Sequence, residues 1–342
     1  FLREAVKKGC DYAVIEVSSH ALIQSRLYGI DFVKVVITNL MPDHLDYHKD
    51  ADEYRDVHLG MIGSKTEEVI FNGEDDGISN VKCQMTNQAQ MPNAKMLSFG
   101  LDGQNDLRGH NIQLNGGSVK FQVEYFKKQL GEFILNIPGR FSVYNALAAI
   151  GFGLSEGIEP DKIRKILAEV VGVPGRLENI KVSEAQDFAV IVDYAHSPDS
   201  LKAVYEAIKP SVKNRLIAVL GGTGDRDKTY RAKAGALADN FVDIVIVTNE
   251  DPYSEDPEVI IDQVLSGIKN KILNNNLFRI LDRREAIKKA VDLAVKDDVI
   301  LITGKGSEQF MVCGDKKIPW DDREVAREAL KEKFNPPAGG LD

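Results

Sequence analysis

Four short runs of β-branched and aliphatic residues alternate with helical patterns in the second half of the chain. This alternation constrains the fold more than any other feature. The runs are 188–195 (FAVIVDYA), 215–222 (RLIAVLGG), 242–250 (VDIVIVTNE) and 298–306 (DVILITGKG). Buried strands separated by helices form a parallel sheet that is covered on both faces. Each run ends in small or polar residues, at the edge where open α/β sheets bind their ligands. The pattern therefore predicts an α/β domain with a ligand site at that edge.

The first half of the chain has a second series of strand patterns. Residues 12–18 (YAVIEVS) and 34–40 (KVVITNL) are predicted to be buried parallel strands, because such strands are nearly continuous apolar runs. Residues 68–135 contain several more strand patterns, separated by turn signals.

Two domains are predicted. The segment 172–176 (GVPGR) follows two helical patterns and indicates a joint, and 342 residues are enough for two cores. The predicted domains are 1–173 and 174–335, with a disordered tail at 336–342. The chain begins at Phe1 inside a helix-to-strand pattern, so we expect a further N-terminal portion.

Composition argues against several classes of function. Hydrophobic residues make up 43% of the chain and charged residues 28%, as in soluble globular proteins, and the formal net charge is −9. This balance argues against nonspecific binding to nucleic acid and against adhesion to anionic membranes. No apolar run is long enough to span a bilayer. The three cysteines lie far apart, which is typical of a reducing cytoplasm. We expect a cytoplasmic monomer.

The segment 16–26 (EVSSHALIQSR) places polar residues at the end of a predicted strand. Glu16 lies within an otherwise apolar run, and a buried carboxylate needs a metal or a cation as its partner. Ser18, Gln24 and Arg26 follow it. The alternative interpretation is a turn at the strand end with an ordinary salt bridge.

The segment 43–48 (DHLDYH) holds two aspartates and two histidines. One interpretation is a binuclear metallohydrolase, but such sites take further histidines and acids from later loops. The later residues His58, His110 and His196 occur in no obvious ligand motif. A magnesium site with Glu16 and one histidine fits better, because magnesium takes few protein ligands and binds phosphate oxygens. A polar helix start is the alternative.

These motifs occur with others in a fixed order: EVSSHAL…R, TNL…DHLDYH, FNGEDD, GRFSVYNALAA, GVPGRLE, VDYAHSPDSL, GGTGDRDK…R, TNEDPYSEDP, GKGSEQF and IPWDDREVAREAL. The ordered set resembles the Mur ligases, most closely the MurE type, the UDP-N-acetylmuramoyl-tripeptide synthetases. The resemblance covers nearly all of residues 1–333.

The resemblance implies an N-terminal UDP-binding domain, a central P-loop ATPase domain and a C-terminal Rossmann-like domain. This chain would hold most of the central domain, over 1–173, and all of the C-terminal domain, over 174–335. No Gly-x-x-x-x-Gly-Lys-Ser/Thr motif, which would cradle the ATP phosphates, occurs in it. By resemblance that loop lies upstream of Phe1, so we expect this chain alone to be inactive.

The resemblance also implies the reaction. The γ-phosphoryl group of ATP is transferred to the carboxylate of UDP-MurNAc-dipeptide. The amine of a free amino acid then attacks the acyl phosphate, which adds the third amino acid during peptidoglycan synthesis. Positioning and charge neutralisation by Mg²⁺ dominate the catalysis of such transfers, so ATP and Mg²⁺ are the implied cofactors.

Site residues in the first half follow from the same resemblance. Glu16 and His44 match magnesium ligands of the family. Ser18, Gln24 and Arg26 match residues that hold the muramoyl-peptide substrate. Arginine suits that role because its planar fork pairs with carboxylate or phosphate oxygens.

Nucleotide-binding residues are implied in the second half. Asn145 matches the family residue near the adenine, Arg176 an arginine directed at the ATP phosphates, and Asp193 the acid that binds the ribose. His196 is expected beside Asp193, facing the cleft between domains. The alternatives are a helix cap for Asn145, a linker salt bridge for Arg176 and a turn-forming role for Asp193.

The amino-acid site departs from the family pattern. Segment 248–257 takes the place of the Asp-Asn-Pro-Arg signature for meso-diaminopimelate, with Tyr253 in place of the arginine. The change removes the arginine guanidinium that would bind the distal carboxylate of meso-diaminopimelate. Three acids predict a cationic side chain instead, as in lysine or ornithine: Glu250, Asp251 and Glu308. Arg226 is the candidate for holding the α-carboxylate, and Gly304 is assigned to the same site. The alternative is that the acids cap a helix start.

His58 is the second departure. In the family a lysine carboxylated to a carbamate occupies this position and helps to hold a second magnesium. Imidazole ligates metals but cannot supply the negative charge of a carbamate. Three interpretations follow: His58 ligates the metal directly, which we favour; the second metal is weakened; or Lys65 substitutes.

Two other functions stay open. One is a Mur-like ligase with another acceptor, of the folylpolyglutamate or cyanophycin type. The other is a non-catalytic Mur-like protein that binds a ligand or partner, which His58 and the missing P-loop motif keep open. The EVSSHAL, DHLDYH and GKGSEQ motifs favour the MurE type.

Overall fold

A computed structural model describes residues 1–40, 48–75, 77–78, 94–115 and 118–334. The chain divides into two compact units, Phe1–Leu107 and Arg108–Asp342. The domain boundary predicted at 173/174 stays a prediction, and the predicted tail at 336–342 lies outside the described residues.

The first unit is built around three parallel strands. Its helices and strands are α1 (Leu2–Lys7), α2 (Ser19–Ile23), β1 (Lys34–Ile37), α3 (Ala51–Leu59), β2 (Glu68–Asn72) and β3 (Lys95–Gly100). Strand β2 pairs in parallel with β1 on one side and with β3 on the other. Val35, Ile37, Val69 and Phe71 are buried together. This confirms the strand predicted within 34–40.

The strand predicted at 12–18 is wrong. Among the described residues this segment forms no strand and pairs with none. Tyr12 and Val14 are 61% and 90% exposed, and Glu16 is exposed as well. An apolar run becomes a buried strand only when a neighbouring strand pairs with it, and the local pattern cannot supply that partner.

The second unit begins with three adjacent strands and two helices: β4 (Leu107–Asn115), β5 (Ser118–Tyr125), β6 (Lys128–Leu135), α4 (Phe141–Ser155) and α5 (Pro160–Glu169). Strands β5 and β6 are antiparallel, and Phe121 lies opposite Phe133. The two rings stack with their centroids 6.1 Å apart. The strand patterns predicted within 68–135 are confirmed for the described residues.

A six-stranded, mainly parallel sheet follows in the same unit. Its elements are β7 (Glu178–Asn179), β8 (Ala189–Val192), α6 (Pro198–Ile208), β9 (Leu216–Leu220), α7 (Thr229–Phe241), β10 (Ile244–Val247), α8 (Pro257–Leu265), β11 (Leu277–Arg279), α9 (Arg283–Leu293), β12 (Val299–Ile302) and α10 (Asp322–Phe334). The strand order is β11-β10-β9-β12-β8-β7. All neighbours are parallel except β7 and β8. A short hairpin, β13 (Phe310–Cys313) and β14 (Lys316–Pro319), precedes α10.

Helices cover both faces of this sheet. On β9, Leu216 and Ala218 pack into one core cluster, which also contains Tyr205 of α6. Ile217 packs into the other, with Ile287 of α9. Alternate side chains of a strand point to opposite faces, so a run buried throughout requires cover on both. The predicted α/β fold and its four main strands are confirmed. No helix within the described ranges is both long and apolar enough to cross a membrane.

Candidate functional site

A cavity of about 350 Å³ lies in the second unit beside the carboxyl end of β8. Its volume is in the range of small-molecule sites, which are mainly apolar with a few convergent polar groups. Apolar side chains from 135–141, 173–177 and 195–204 form much of the wall. The cavity also brings together Asn145, Arg176 and Asp193, three residues that the sequence assigned to one ligand.

Asn145 lies on α4 and faces this cavity. The helix begins at Phe141, and Arg140 occupies its N-cap position. The alternative interpretation of Asn145 as a helix cap is therefore wrong. Its neighbour Ala146 is buried while Asn145 is exposed, so helix packing leaves its amide available to a ligand.

Asp193 directly follows β8 and is almost fully buried. Its two carboxylate oxygens accept hydrogen bonds from the backbone N–H groups of Leu177 and Ala195, both at 2.8 Å. Burial raises the pKa of the carboxyl against the opposing effect of these bonds. Asp193 therefore shapes the loop, as the alternative interpretation holds, and also lines the cavity. Each oxygen keeps a lone pair for another donor.

Arg176 lies at the segment predicted as the interdomain joint. Its guanidinium carbon lies 4.4 Å from the centre of the Tyr194 ring, a distance typical of a cation–π contact. His196 is exposed, and its Nδ1 lies 2.9 Å from the Tyr194 carbonyl oxygen. The sequence had not singled out Tyr194, because an aromatic residue after a strand carries no signal of its own.

A second polar cluster lies where β10 and β12 end. It consists of Glu250, Asp251, Lys305 and Glu308, which we term the acidic cradle. The Lys305 ammonium donates to Asp251 at 2.6 Å and to Glu308 at 2.5 Å. Burial alone would lower the pKa of Lys305, but these two bonds raise it above its ordinary value. The lysine is therefore charged, and it offsets part of the negative charge that the sequence predicted here.

Glu250 is held tightly within the acidic cradle. Its carboxylate accepts a hydrogen bond from the Thr223 hydroxyl at 2.9 Å. Gly304 has a φ of +110°, a backbone conformation that other residues rarely adopt, and a Cβ atom on it would lie 2.2 Å from the Glu250 Oε2, so the position requires glycine. Burial raises the pKa of Glu250. The helix-cap alternative for Glu250 and Asp251 is wrong, because Asp256 caps the helix that follows.

Arg226 and Tyr253 lie on neighbouring loops, after β9 and β10. The guanidinium of Arg226 is 5.6 Å from the centre of the Tyr253 ring. The Tyr253 N–H donates to the Val312 carbonyl, and Asp251 accepts from the Val312 N–H at 2.7 Å. The β13 strand thus fixes the loop that carries Asp251 and Tyr253.

The candidate residues of the first unit have simpler surroundings. Ser18 caps α2 by accepting a hydrogen bond from the Ala21 N–H. Gln24 accepts a hydrogen bond from Arg26, and both are exposed. Glu16 is exposed too. His44 lies outside the described residues.

His58 has an unusual environment in the first unit. Its Nε2 is buried without a hydrogen-bond partner among the described residues, and its ring packs 4.7 Å from that of Tyr54. Burial, with a smaller contribution from His48, lowers its pKa. A neutral imidazole with an unused lone pair can ligate a metal. Lys65, the alternative, forms an exposed ion pair with Asp31 at 2.7 Å.

The residues present fit a magnesium ion in part. Glu16 offers the carboxylate oxygen that magnesium prefers, and His58 offers the buried nitrogen. In the described part of the chain, no three His, Cys, Asp or Glu side chains converge in a way that could hold a metal ion. The complete ligand set stays a prediction.

Comparisons with known proteins give a consistent result. The model of the Mur ligase middle domain matches residues 1–153, and that of the Mur ligase glutamate ligase domain matches residues 175–306. The chain is 39% identical to the UDP-N-acetylmuramoyl-L-alanyl-D-glutamate–2,6-diaminopimelate ligase of Syntrophomonas wolfei, over 97% of this chain and 67% of the relative. It is 37% identical to the enzyme of that name from Clostridium botulinum, over 96% of this chain and 66% of the relative.

A solved structure of a UDP-N-acetylmuramoyl-L-alanyl-D-glutamate–2,6-diaminopimelate ligase has a similar fold. The TM-score is 0.63 at 29% identity, over 97% of this chain and 67% of the other. The chain thus spans about two thirds of the length of the relatives that it matches.

Proposed function

The chain belongs to the Mur ligase family, and from this premise we propose that it is part of an ATP-dependent amide ligase of peptidoglycan synthesis. The ligase adds a diamino acid to UDP-MurNAc-dipeptide through an acyl phosphate. It acts in the cytoplasm as a monomer, with the central domain over 1–173 and the C-terminal domain over 174–335. The names of its relatives support the reaction class.

One observation carries the proposal: a single cavity is lined by Asn145, Arg176 and Asp193. The adenine fits the apolar wall, where the Asn145 amide can bond its edge. The Asp193 carboxylate accepts hydrogen bonds from the ribose hydroxyls. The Arg176 fork pairs with phosphate oxygens, as charged planar donors do.

The acidic cradle binds the incoming amino acid. Its side-chain ammonium pairs with Glu250 and Glu308, and Arg226 pairs with its α-carboxylate, close to Tyr253 and Gly304. The relatives are named for 2,6-diaminopimelate. Tyr253 lacks the guanidinium fork that would suit a second carboxylate, so we propose lysine or ornithine. His196 contributes at the edge between the cradle and the nucleotide cavity.

The first unit would bind the ion and the peptide substrate. Glu16, His44 and His58 would hold Mg²⁺, which neutralises charge on the phosphates when bound. Ser18, Gln24 and Arg26 would hold the muramoyl-peptide, and the exposed Gln24–Arg26 pair leaves other guanidinium donors for an anionic group.

The test is a ligation assay on the full-length product of the gene. The protein is incubated with ATP, Mg²⁺ and UDP-MurNAc-dipeptide, and with lysine, ornithine or meso-diaminopimelate in separate reactions. Product masses are read by mass spectrometry, with reactions lacking ATP as the control. ATP-dependent addition of lysine or ornithine supports the proposal.

Two other results of this assay would change the proposed function. Addition of diaminopimelate alone would keep the ligase and overturn the assignment of side-chain specificity. No product with any of the three amines would overturn the proposed reaction and favour a ligase with another acceptor or a non-catalytic binding role.

A further inference from the structure

Tyr194 contacts groups on both sides of the boundary between the nucleotide cavity and the acidic cradle. The Arg176 guanidinium lies over one face of its ring, with the guanidinium carbon 4.4 Å from the ring centre. Its hydroxyl donates to Glu308 Oε1 over 3.4 Å. The ring edge meets His196, with the centroids 4.9 Å apart. A single side chain thus contacts one residue that lines the cavity and one that belongs to the cradle.

The contacts continue into the cradle. Glu308 also accepts a hydrogen bond from Lys305, which donates in turn to Asp251. The line Arg176–Tyr194–Glu308–Lys305–Asp251 is therefore continuous, and the Lys305 side chain within it is fully buried. A shift of the Tyr194 ring would therefore change the contacts of Arg176 on one side and of Glu308, which binds Lys305, on the other.

The backbone holds Tyr194 in place. A Cβ atom on Gly306 would lie 2.6 Å from the Tyr194 Cβ and 2.6 Å from the Gly175 carbonyl oxygen. The loop after β12 is therefore packed between the joint segment and the Tyr194 backbone. Burial, with a contribution from Glu308, raises the pKa of Tyr194 to about 12, so its hydroxyl stays protonated and remains a donor at working pH.

We propose that Tyr194 is a positioning residue that couples the two sites, its ring orienting Arg176 toward the nucleotide and its hydroxyl orienting Glu308 toward the amino acid. This inference rests on the proposed function. A coupling of this kind is reciprocal: each ligand raises the affinity for the other by the same factor. It goes beyond ligand contact, because Tyr194 acts through Arg176 and Glu308.

The test is calorimetric titration of the full-length product of the gene with the non-hydrolysable analogue adenosine 5′-(β,γ-imido)triphosphate, and with each amino acid alone. Each titration with the analogue is run with and without saturating lysine, with ornithine and meso-diaminopimelate in parallel. For wild type we expect the amino acid to lower the Kd of the analogue about fivefold or more, the lower end of typical couplings.

Two variants separate the two contacts of Tyr194. Tyr194→Phe keeps the ring and removes the hydroxyl, so the Kd of the analogue alone stays within about twofold while amino-acid affinity and the coupling fall. Tyr194→Leu removes the ring as well and weakens the analogue about tenfold, the loss expected for one oriented charged contact. Tyr205→Phe, at a buried tyrosine that contacts neither site, is the matched control. It should leave the Kd of the analogue, the affinity for the amino acid and the coupling between them unchanged.

The outcomes are distinct. Wild-type amino-acid affinity and coupling in Tyr194→Phe would overturn the inference, and so would normal binding of both ligands to wild type without coupling. If Tyr194→Leu fails to fold, as judged by circular dichroism, the Phe variant decides alone. A full-length wild-type protein that binds neither ligand would overturn the proposed function itself, and this inference with it.

Discussion

Arg283 and Asp322 form an ion pair in which neither side chain is exposed to solvent. Two guanidinium nitrogens of Arg283 donate to the carboxylate at 2.8 and 2.6 Å. Arg283 also donates to the carbonyl oxygens of Thr303 and Asn249, which follow β12 and β10. The pair therefore fixes the two strand ends that carry the acidic cradle.

Asp322→Ala should destabilise the protein strongly, because it leaves a buried guanidinium without its counterion. Breaking a buried pair costs about 3–5 kcal/mol. Urea denaturation followed by circular dichroism measures the loss. Glu328→Ala is the control, since its ion pair with Arg284 is about half exposed, and a loss below about 1 kcal/mol is expected there. Equal losses for the two variants would contradict this account of the pair.

Tyr205→Phe should stabilise the protein. The Tyr205 hydroxyl is buried in the core with no hydrogen-bond partner among the described residues, and its ring stacks on Phe241 at 5.8 Å. A buried hydroxyl without a partner costs about 1–3 kcal/mol, and phenylalanine removes it while keeping the ring. A higher denaturation midpoint is the expected result. A lower midpoint would mean that the hydroxyl has a partner in solution.

Glu255→Gln should reduce the loss of folding stability that wild type shows at acidic pH. Glu255 accepts hydrogen bonds from both terminal nitrogens of Arg231, and this pairing lowers its pKa from 4.5 to about 2. Between these values the unfolded state binds more protons than the folded state, so stability falls as pH falls. Wild type should exceed the variant by about 1–3 kcal/mol near neutral pH.

Thermal unfolding of both proteins between neutral pH and about pH 3 checks this prediction. The gap between their melting temperatures should narrow as pH falls through the window set by the lowered pKa. Glu332→Gln, at an exposed ion pair with Lys288, should leave the melting temperature close to that of wild type at neutral pH. Parallel curves for wild type and Glu255→Gln would show that the Arg231 contact contributes no acid-dependent stability.

Arg176→Ala should weaken nucleotide binding by about tenfold, the loss expected for one charge-assisted hydrogen bond to phosphate. Arg284→Ala is the matched control, because Arg284 is also exposed and lies 5.8 Å from an aromatic ring, that of Trp320, but does not line the cavity. Calorimetric titration of the full-length wild type and both variants with ADP measures the change in affinity. Equal affinities of the two variants for ADP would show that Arg176 does not contribute to nucleotide binding.

The sheet of the second unit was predictable because its strands are apolar on both faces and lie between helical patterns. Residues 12–18 show the same local pattern and form no strand in the described structure, because pairing depends on a neighbour that no local pattern specifies. Lys305 illustrates the corresponding limit for the site. Its partner Asp251 lies 54 residues earlier, so only the folded chain shows that the lysine offsets the acidic charge.

Asn145, Arg176 and Asp193 were predictable as a set, since their motifs occur in family order. Their shared cavity depends on how α4, the joint segment and the loop after β8 pack, which the sequence does not show. Tyr194 was missed for the same reason, because its role depends on which side chains lie against its ring.

Photolabelling with 8-azido-ATP tests most directly the claim that this cavity holds the adenine nucleoside. The full-length product of the gene is irradiated with the probe, with and without excess ATP, and the labelled peptides are identified by mass spectrometry. The account predicts labels that ATP suppresses in peptides carrying the cavity wall, around Phe141 to Asn145 and Ser200 to Val204. Labels that ATP suppresses only elsewhere, or none that it suppresses at all, would contradict it.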